Sequence, residues 1–304
     1  MTMHDDQVDV TTDIVAALIQ EQFPDWSGKP IHLLPSTGTV NAVVRIGNDL
    51  SARFPLRLSD PAETLAALER EARASAELAQ VSPFPVPEPI AVGRPGAGYP
   101  MPWSIQTWLP GTVAFDADPS GSDAFAGDLA AFISALRAAD TRGRLFSGEN
   151  RGGVLTRHDE WMAKCFEESE GLLDVPRLRR LWSHFRELPR TDADVMCHGD
   201  LIPGNVLVTG DRLGGVLDTG GFGPADPALD LVSAWHLLQS GPRDVLRRAL
   251  ACDDLEWERG KAWAFEQAMG VVWYYVETNP TMSAMGRRTL ERILDSMTVV
   301  PAGS

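Results

Sequence analysis

Two stretches of this chain hold side chains able to do chemistry together. The first is Cys197-His198-Gly199-Asp200-Leu201-Ile202-Pro203-Gly204-Asn205-Val206-Leu207-Val208. An aspartate stands five residues before an asparagine and two after a histidine, and the asparagine opens an apolar, β-like run. A short loop of this kind can set one carboxylate over a cleft and point a neutral amide oxygen at a metal. The second stretch, Gly215-Val216-Leu217-Asp218-Thr219-Gly220-Gly221, puts an aspartate at the end of a hydrophobic strand. Its glycines allow a sharp backbone turn. Phosphoryl transfer asks for this set. Asp200 would accept a hydroxyl proton, and Asn205 and Asp218 would offer hard oxygens to Mg²⁺, which leaves its other positions to phosphate and water.

Each stretch alone has a plainer explanation. A lone His-Gly-Asp is commonly a turn bonded to its own backbone, and so is a lone Asp-Thr-Gly. Asp-Thr-Gly also resembles the aspartic-protease triplet, but such an enzyme needs a second copy of the element, and the sequence holds none. The order and spacing of the two stretches together favour phosphoryl transfer.

The elements around them divide the chain. A helical rhythm runs from Asp13 to Gln22, with Thr12 or Asp13 as its cap. Ile31 to Leu34, Val40 to Ile46 and Leu50 to Leu56 read as strands, with Gly47-Asn48-Asp49 as a turn. Pro61 to Val81 reads as a long helix, ended by Pro83, Pro85, Pro87 and Pro89. Ile90 to Gly93 and Trp103 to Leu109 read as two more strands. Three strands, a helix and two strands predict a small antiparallel sheet with one helix packed on it. After Pro110-Gly111 the pattern turns helical: Ser122 to Ala139, Arg157 to Leu173, Arg177 to Leu188, Leu229 to Leu238, Asp244 to Cys252, Trp257 to Glu277 and Ser283 to Met297. The expected architecture is α+β and bilobal, with a β-rich lobe over 1–109, a helical lobe over 110–304 and a ligand crevice between them.

Composition narrows the partners. The chain has 304 residues, enough for two lobes with cores of their own, and a net charge of -15. That field repels nucleic acid and attracts a cationic small molecule, although acidic residues also serve solubility alone. Only Lys29, Lys164 and Lys261 supply lysine. Three cysteines without C-x-x-C spacing point to a reducing compartment, with neither a disulfide framework nor a zinc site. Met1 to Val10 is acidic and lacks an apolar stretch, and no apolar run is long enough for a bilayer. The expectation is a cytoplasmic protein with no membrane partner; the oligomeric state is not legible.

The chain resembles the aminoglycoside phosphotransferase family, protein-kinase-like small-molecule kinases that include antibiotic phosphotransferases. The matching pieces are Cys-His-Gly-Asp-Leu-Ile-Pro-Gly-Asn at 197–205, Val-Leu-Asp at 216–218 and Ala-Asp-Pro-Ala-Leu-Asp-Leu at 225–231. Val-Pro-Glu-Pro-Ile-Ala-Val-Gly at 86–93 and Trp-Leu-Pro-Gly at 108–111 complete them, in the family's order. The resemblance implies ATP or GTP as donor and Mg²⁺ as cofactor. It implies Asp200 as the catalytic base and Asn205 and Asp218 as metal ligands. Ser36, Thr37, Gly38, Thr39 and Asn41 would cover the nucleotide phosphates. Arg53 would stand in for the usual phosphate-binding lysine, with Glu71 as its ion-pair partner and Arg45 as a competitor on a neighbouring strand. In the link Thr107, Trp108 and Leu109, backbone groups of Thr107 and Leu109 would meet the adenine edge. Asp226 and Asp230 would hold the catalytic loop.

Departures from the pattern also carry information. The loop from Pro35 to Asn41 is not G-x-G-x-x-G, and Thr219 stands where a larger residue is usual. His-Gly-Asp replaces the protein-kinase His-Arg-Asp, and no Ala-Pro-Glu element follows, which argues against a protein substrate. The expected acceptor is a small-molecule hydroxyl, on an aminoglycoside or related antibiotic, with a sugar or amino-alcohol kinase and a catalytically silent nucleotide-binding protein as alternatives. Its pocket would draw on helices carrying Asp159, Glu160, Glu167, Glu168, Glu170, Glu266 and Glu277, and Trp161, Trp235, Trp263, Trp273, Tyr274 and Tyr275. Solvated acids and core aromatics explain the same residues more simply.

Overall fold

The computed structural model describes residues 8–34 and 41–298, so the expectations for Ser36, Thr37, Gly38 and Thr39 lie outside the described residues. The chain folds into two compact units. One takes the chain up to Gln80, Pro85–Pro110 and Val216–Gly221; the other takes Val81–Phe84, Gly111–Gly215 and the chain from Phe222 on. The fold is α+β, of the bilobal protein-kinase-like kind, and the segment with Asp218 belongs to the sheet-bearing unit although it lies far along the sequence.

Strands β1 (Ile31–Leu33), β2 (Asn41–Ile46), β3 (Leu50–Pro55), β4 (Pro89–Gly93) and β5 (Trp103–Thr107) form an antiparallel sheet in the order β1-β2-β3-β5-β4. Burial alternates along β2 because side chains alternate across a sheet. One face buries Val44, Ile46, Ala52, Phe54, Trp103 and Ile105 against Val15, Leu18 and Ile19 of helix α1 (Thr12–Gln22). Phe54 stacks on Trp103 at 4.7 Å between ring centroids. The cap of α1 is Thr11, one residue before the predicted candidates: its Oγ1 accepts the Ile14 N–H. The opposite face is polar. Register pairs Val43 with Arg53 and Arg45 with Ser51, then Arg53 with Ser104 and Ser51 with Gln106. Helix α2 (Pro61–Val81) spans the predicted residues.

The second unit surrounds α9 (Asp254–Tyr274), which is buried on nearly every side from Trp257 to Gly270. About it lie α4 (Asp123–Arg137), α5 (Asp159–Glu168), α6 (Val175–Phe185), α7 (Val232–Leu237), α8 (Ser240–Ala249) and α10 (Pro280–Thr298), with the single turn α3 (Ala114–Ala117). The helix predicted over Arg157 to Leu173 ends at Glu168, where Leu172 and Leu173 both bond back to the Ser169 carbonyl and Gly171 takes φ +78°. Short strands complete the chain: β6 (Thr112–Val113) pairs with β8 (Val206–Thr209), which pairs with β9 (Arg212–Val216). β7 (Val195–Cys197) pairs with β10 (Gly223–Ala225). No helix among the described residues is long and apolar enough to cross a membrane, and Cys165, Cys197 and Cys252 are buried and unpaired.

Candidate active site

The loop that follows β7 is held by its backbone. The N–H groups of His198 and Gly199 donate to the two oxygens of buried Asp230, at 2.9 and 2.8 Å. Gly199 has φ +88°, a conformation that a side chain would strain. His198 is buried, and its Nδ1 accepts the Asp200 N–H at 3.3 Å. Asp226 anchors the segment that carries Asp230. It is buried with Arg259, whose Nε donates to Asp226 Oδ2 at 2.9 Å, and it also accepts from Trp263 Nε1 at 3.0 Å and the Ala228 N–H at 3.0 Å.

This frame presents Asp200 with its carboxylate largely committed. Oδ1 accepts from Gln267 Nε2 at 2.6 Å and from Arg151 Nη2 at 2.9 Å. Oδ2 accepts from Asn205 Nδ2 at 3.0 Å, and the same nitrogen donates to the Asp200 carbonyl at 2.9 Å. Each carboxylate oxygen offers two lone pairs, so Oδ1 is filled and Oδ2 keeps one. Because Asn205 spends its nitrogen on Asp200, its Oδ1 carries no hydrogen bond among the described residues. The predicted pair Asp200 and Asn205 is thus brought together. Arg151 and Gln267 were missed by sequence reasoning, since a loop arginine and a glutamine in a helix that also carries Glu258, Arg259, Lys261 and Glu266 give no local signal.

In the sheet-bearing unit Asp218 has φ +57°, a left-handed backbone held by a residue other than glycine. Its Oδ1 lies 2.9 Å from Arg53 Nη2 on β3. The resemblance implied that Arg53 would pair with Glu71; the ion pair is made with Asp218, because the backbone after β9 brings that carboxylate to the polar face of the sheet. Glu71 is a charge neighbour. Burial pushes its carboxyl above the usual range, the Arg53 charge pulls it down, and the Asp218 charge adds to the rise. Gly220 is required here: a Cβ would sit 2.8 Å from Glu71 Cγ. The smaller Thr219 is buried and hydrogen-bonded through Oγ1 to Ser75 Oγ at 2.8 Å, which is how α2 accommodates it. A hollow of about 360 Å³ in this unit is lined by Arg53, Glu71, Ser75, Ser104, Gln106 and Gly220, among others.

Other candidates separate by their partners. Arg45 lies over the Trp108 ring at 5.0 Å. The Thr107 N–H is spent on the Glu88 carbonyl and the Trp108 N–H on the Asp49 carbonyl, whereas Leu109 has no hydrogen-bond partner among the described residues. Asn41 opens β2 and pairs in register with Pro55. Asp159 is engaged by Arg186 and Trp182, which hold its carboxyl below the usual range against a smaller desolvation effect. Glu266 is buried against His158 at 2.9 Å. Glu160, Glu167, Glu168, Glu170 and Glu277 are exposed. Trp235 and Trp263 are core, while Trp161 and Tyr274 are 38% and 47% exposed.

A model of the phosphotransferase enzyme family matches residues 33–263, which hold both aspartate stretches. The chain belongs to that family. No curated protein matches this phosphotransferase-family chain. Among solved structures it is similar to the GDP complex of wild-type aminoglycoside 2'-phosphotransferase-IIIa, at 18% identity and TM-score 0.70, over 94% of this chain and 100% of that one. It is similar to macrolide 2'-phosphotransferase from Brachybacterium faecium, at 20% identity and TM-score 0.63, over 96% and 99% of the two chains. A third is the streptomycin-ATP-APH(2")-IIa ternary complex, at 17% identity and TM-score 0.59, over 95% and 97%. At these identities the likeness establishes the fold.

Proposed function

We propose that this phosphotransferase-family chain moves the γ-phosphoryl group of ATP or GTP to a hydroxyl of a small molecule, with Asp200 as the base. The carrying observation is the Asp200 carboxylate, fixed by three donors with one lone pair left on Oδ2. In the transfer, the acceptor oxygen bonds to the γ-phosphorus, the bond to the β-phosphate oxygen breaks with its electron pair leaving on the nucleoside diphosphate, and the acceptor proton passes to Asp200 Oδ2.

The residues fit a bound Mg²⁺ by donor chemistry: Asn205 Oδ1 is a neutral oxygen left without a hydrogen bond, and Asp218 contributes an anionic one. Among the described residues no group of three or more His, Cys, Asp and Glu side chains could hold a metal. The resemblance gives Asn205 and Asp218 each a place on the ion, with the other positions left to phosphate and water, as Mg²⁺ tolerates. Its chemistry is to neutralise phosphate charge. Arg53 would add a permanent cation on the donor, with Asp218 holding its guanidinium in place. Backbone groups of Thr107 and Leu109 would meet the nucleotide base, Thr107 through its carbonyl because its N–H is spent on Glu88.

For the acceptor, the side chains favour an apolar face over a polycation. Two of the candidate acids are taken up inside the helical unit, Asp159 by Arg186 and Glu266 against His158. On α9, Gln267, Gly270 and Tyr274 follow helical spacing along one face, and the Trp161 ring lies on Gly270, where a Cβ would meet it at 2.9 Å. An exposed indole and phenol one and two turns from the Asp200 contact suit a macrocycle or flat ring carrying the hydroxyl. A cytoplasmic location agrees with a nucleotide donor and three unpaired cysteines.

The test is a phosphoryl-transfer screen with γ-labelled ATP and GTP against macrolides, aminoglycosides and small amino alcohols, with Asp200→Asn alongside. Transfer to one class that vanishes in Asp200→Asn supports the reading. Transfer that survives in Asp200→Asn removes the aspartate from the mechanism, and nucleotide binding without transfer to any acceptor or to water would favour the silent alternative.

A further inference from the structure

We infer that Gln267 is a positioning residue for Asp200, and that His236, protonated on Nε2 and backed by Thr289, keeps the Gln267 amide turned the right way. This rests on the reading of Asp200 as the base. Three helices contribute: α9 carries Gln267, α7 carries His236 and α10 carries Thr289, and all three side chains are buried. Thr289 Oγ1 lies 2.9 Å from His236 Nδ1; His236 Nε2 lies 3.1 Å from Gln267 Oε1; Gln267 Nε2 lies 2.6 Å from Asp200 Oδ1.

The directions of these bonds are coupled. An ionised Asp200 can only accept, so Gln267 must turn its nitrogen toward it and its oxygen toward His236. That oxygen needs a donor, so His236 carries its proton on Nε2. Nδ1 is then an acceptor and takes the Thr289 hydroxyl proton. The opposite tautomer would put two acceptors face to face, either at His236 and Gln267 or, after an amide flip, at Gln267 and Asp200. Burial holds the ring neutral by lowering its pKa to about 3, with the Arg151 and Arg292 charges acting the same way against the Gln267 bond. A charged ring would donate from both nitrogens and lose the Thr289 hydroxyl as a donor.

The consequence is geometric. Gln267 and Arg151 both sit on Oδ1, which leaves Oδ2 as the oxygen that meets the acceptor hydroxyl. Arg151 is partly exposed and flexible in length, while Gln267 is buried and held from behind, so the amide defines the rotation of the carboxylate. A catalytic group displaced by about 1 Å can lose about 10²-fold in rate.

Gln267→Met keeps the volume and removes the bond. The expected result is a kcat lower by about 10–100-fold, with the Mg·nucleotide KM close to wild type. Turnover is read on the acceptor that the wild type uses or, lacking one, on nucleotide hydrolysis. Wild-type kcat in Gln267→Met, with Asp200→Asn inactive, overturns the positioning role and leaves the base assignment standing; wild-type turnover in Asp200→Asn removes the base assignment itself. A readout independent of turnover is ¹⁵N NMR of the histidines in the full chain. His236 should show a protonated Nε2 and an unprotonated Nδ1, and Thr289→Val, which removes only the partner of Nδ1, should keep that pattern. A protonated Nδ1 in the wild type, or a switch to Nδ1 protonation in Thr289→Val, overturns the inference even if Gln267→Met fails to fold.

Discussion

The Asn205 side chain gives both its hydrogen bonds to Asp200, from one nitrogen to the backbone carbonyl at 2.9 Å and to Oδ2 at 3.0 Å. The five-residue interval between them is spanned by a single 3₁₀ turn at Pro203–Asn205, which folds the amide back over the aspartate. One side chain thereby orients the base and leaves its own oxygen outward.

Asn205→Asp tests that double duty. It replaces a donor by a second carboxylate against Asp200, and like charges at this distance repel. The expected outcome is a kcat lower by about 10²-fold or more, the low end of what a positioned base contributes, together with altered Mg²⁺ dependence. Steady-state kinetics at varied Mg²⁺ checks it.

Arg53→Met should separate stability from binding. The Arg53–Asp218 pair is 21% and 45% exposed at its two side chains, and exposed ion pairs contribute about 0–1 kcal/mol. The Tm should therefore move little. Mg·nucleotide affinity should fall by about 10-fold, the worth of one charged hydrogen bond. Calorimetric titration of both proteins with a non-hydrolysable nucleotide decides; equal affinities would mean that Arg53 serves the sheet alone.

Arg259→Met should behave in the opposite way. It leaves Asp226 charged and buried, its side chain only 3% exposed. Breaking such a pair costs about 3–5 kcal/mol. Chemical denaturation should register that loss, and the frame around Asp230 and the 198–199 backbone should loosen with it.

His236 predicts an acid weakness. Its pKa falls from 6.5 in the unfolded chain to about 3 when buried. Between those values the unfolded chain binds the extra proton, so stability rises with pH across the window. The contribution is complete above pH 6.5 and is lost as pH falls toward 3, on the order of 5 kcal/mol over the full span. Denaturation midpoints from pH 7 to 4 should fall less steeply in His236→Asn than in the wild type.

Much of the arrangement could be read from local pattern. Helix α2 ends where the prolines begin, and the five strands follow the alternation of apolar residues. The strands β7 and β10 escaped because three residues carry no period, and the helix after Arg157 was drawn too long because Leu172 and Leu173 continue its rhythm past a glycine turn.

By itself the sequence determined the fold class, the family and the aspartate-asparagine loop, because those depend on residue types a few positions apart. Only the tertiary structure decided who holds whom. Arg53 meets Asp218 from 165 residues away, and Gln267 meets Asp200 from 67. Such pairings are set by how strands and helices pack against one another, and packing brings together positions whose separation along the chain leaves no mark in either neighbourhood.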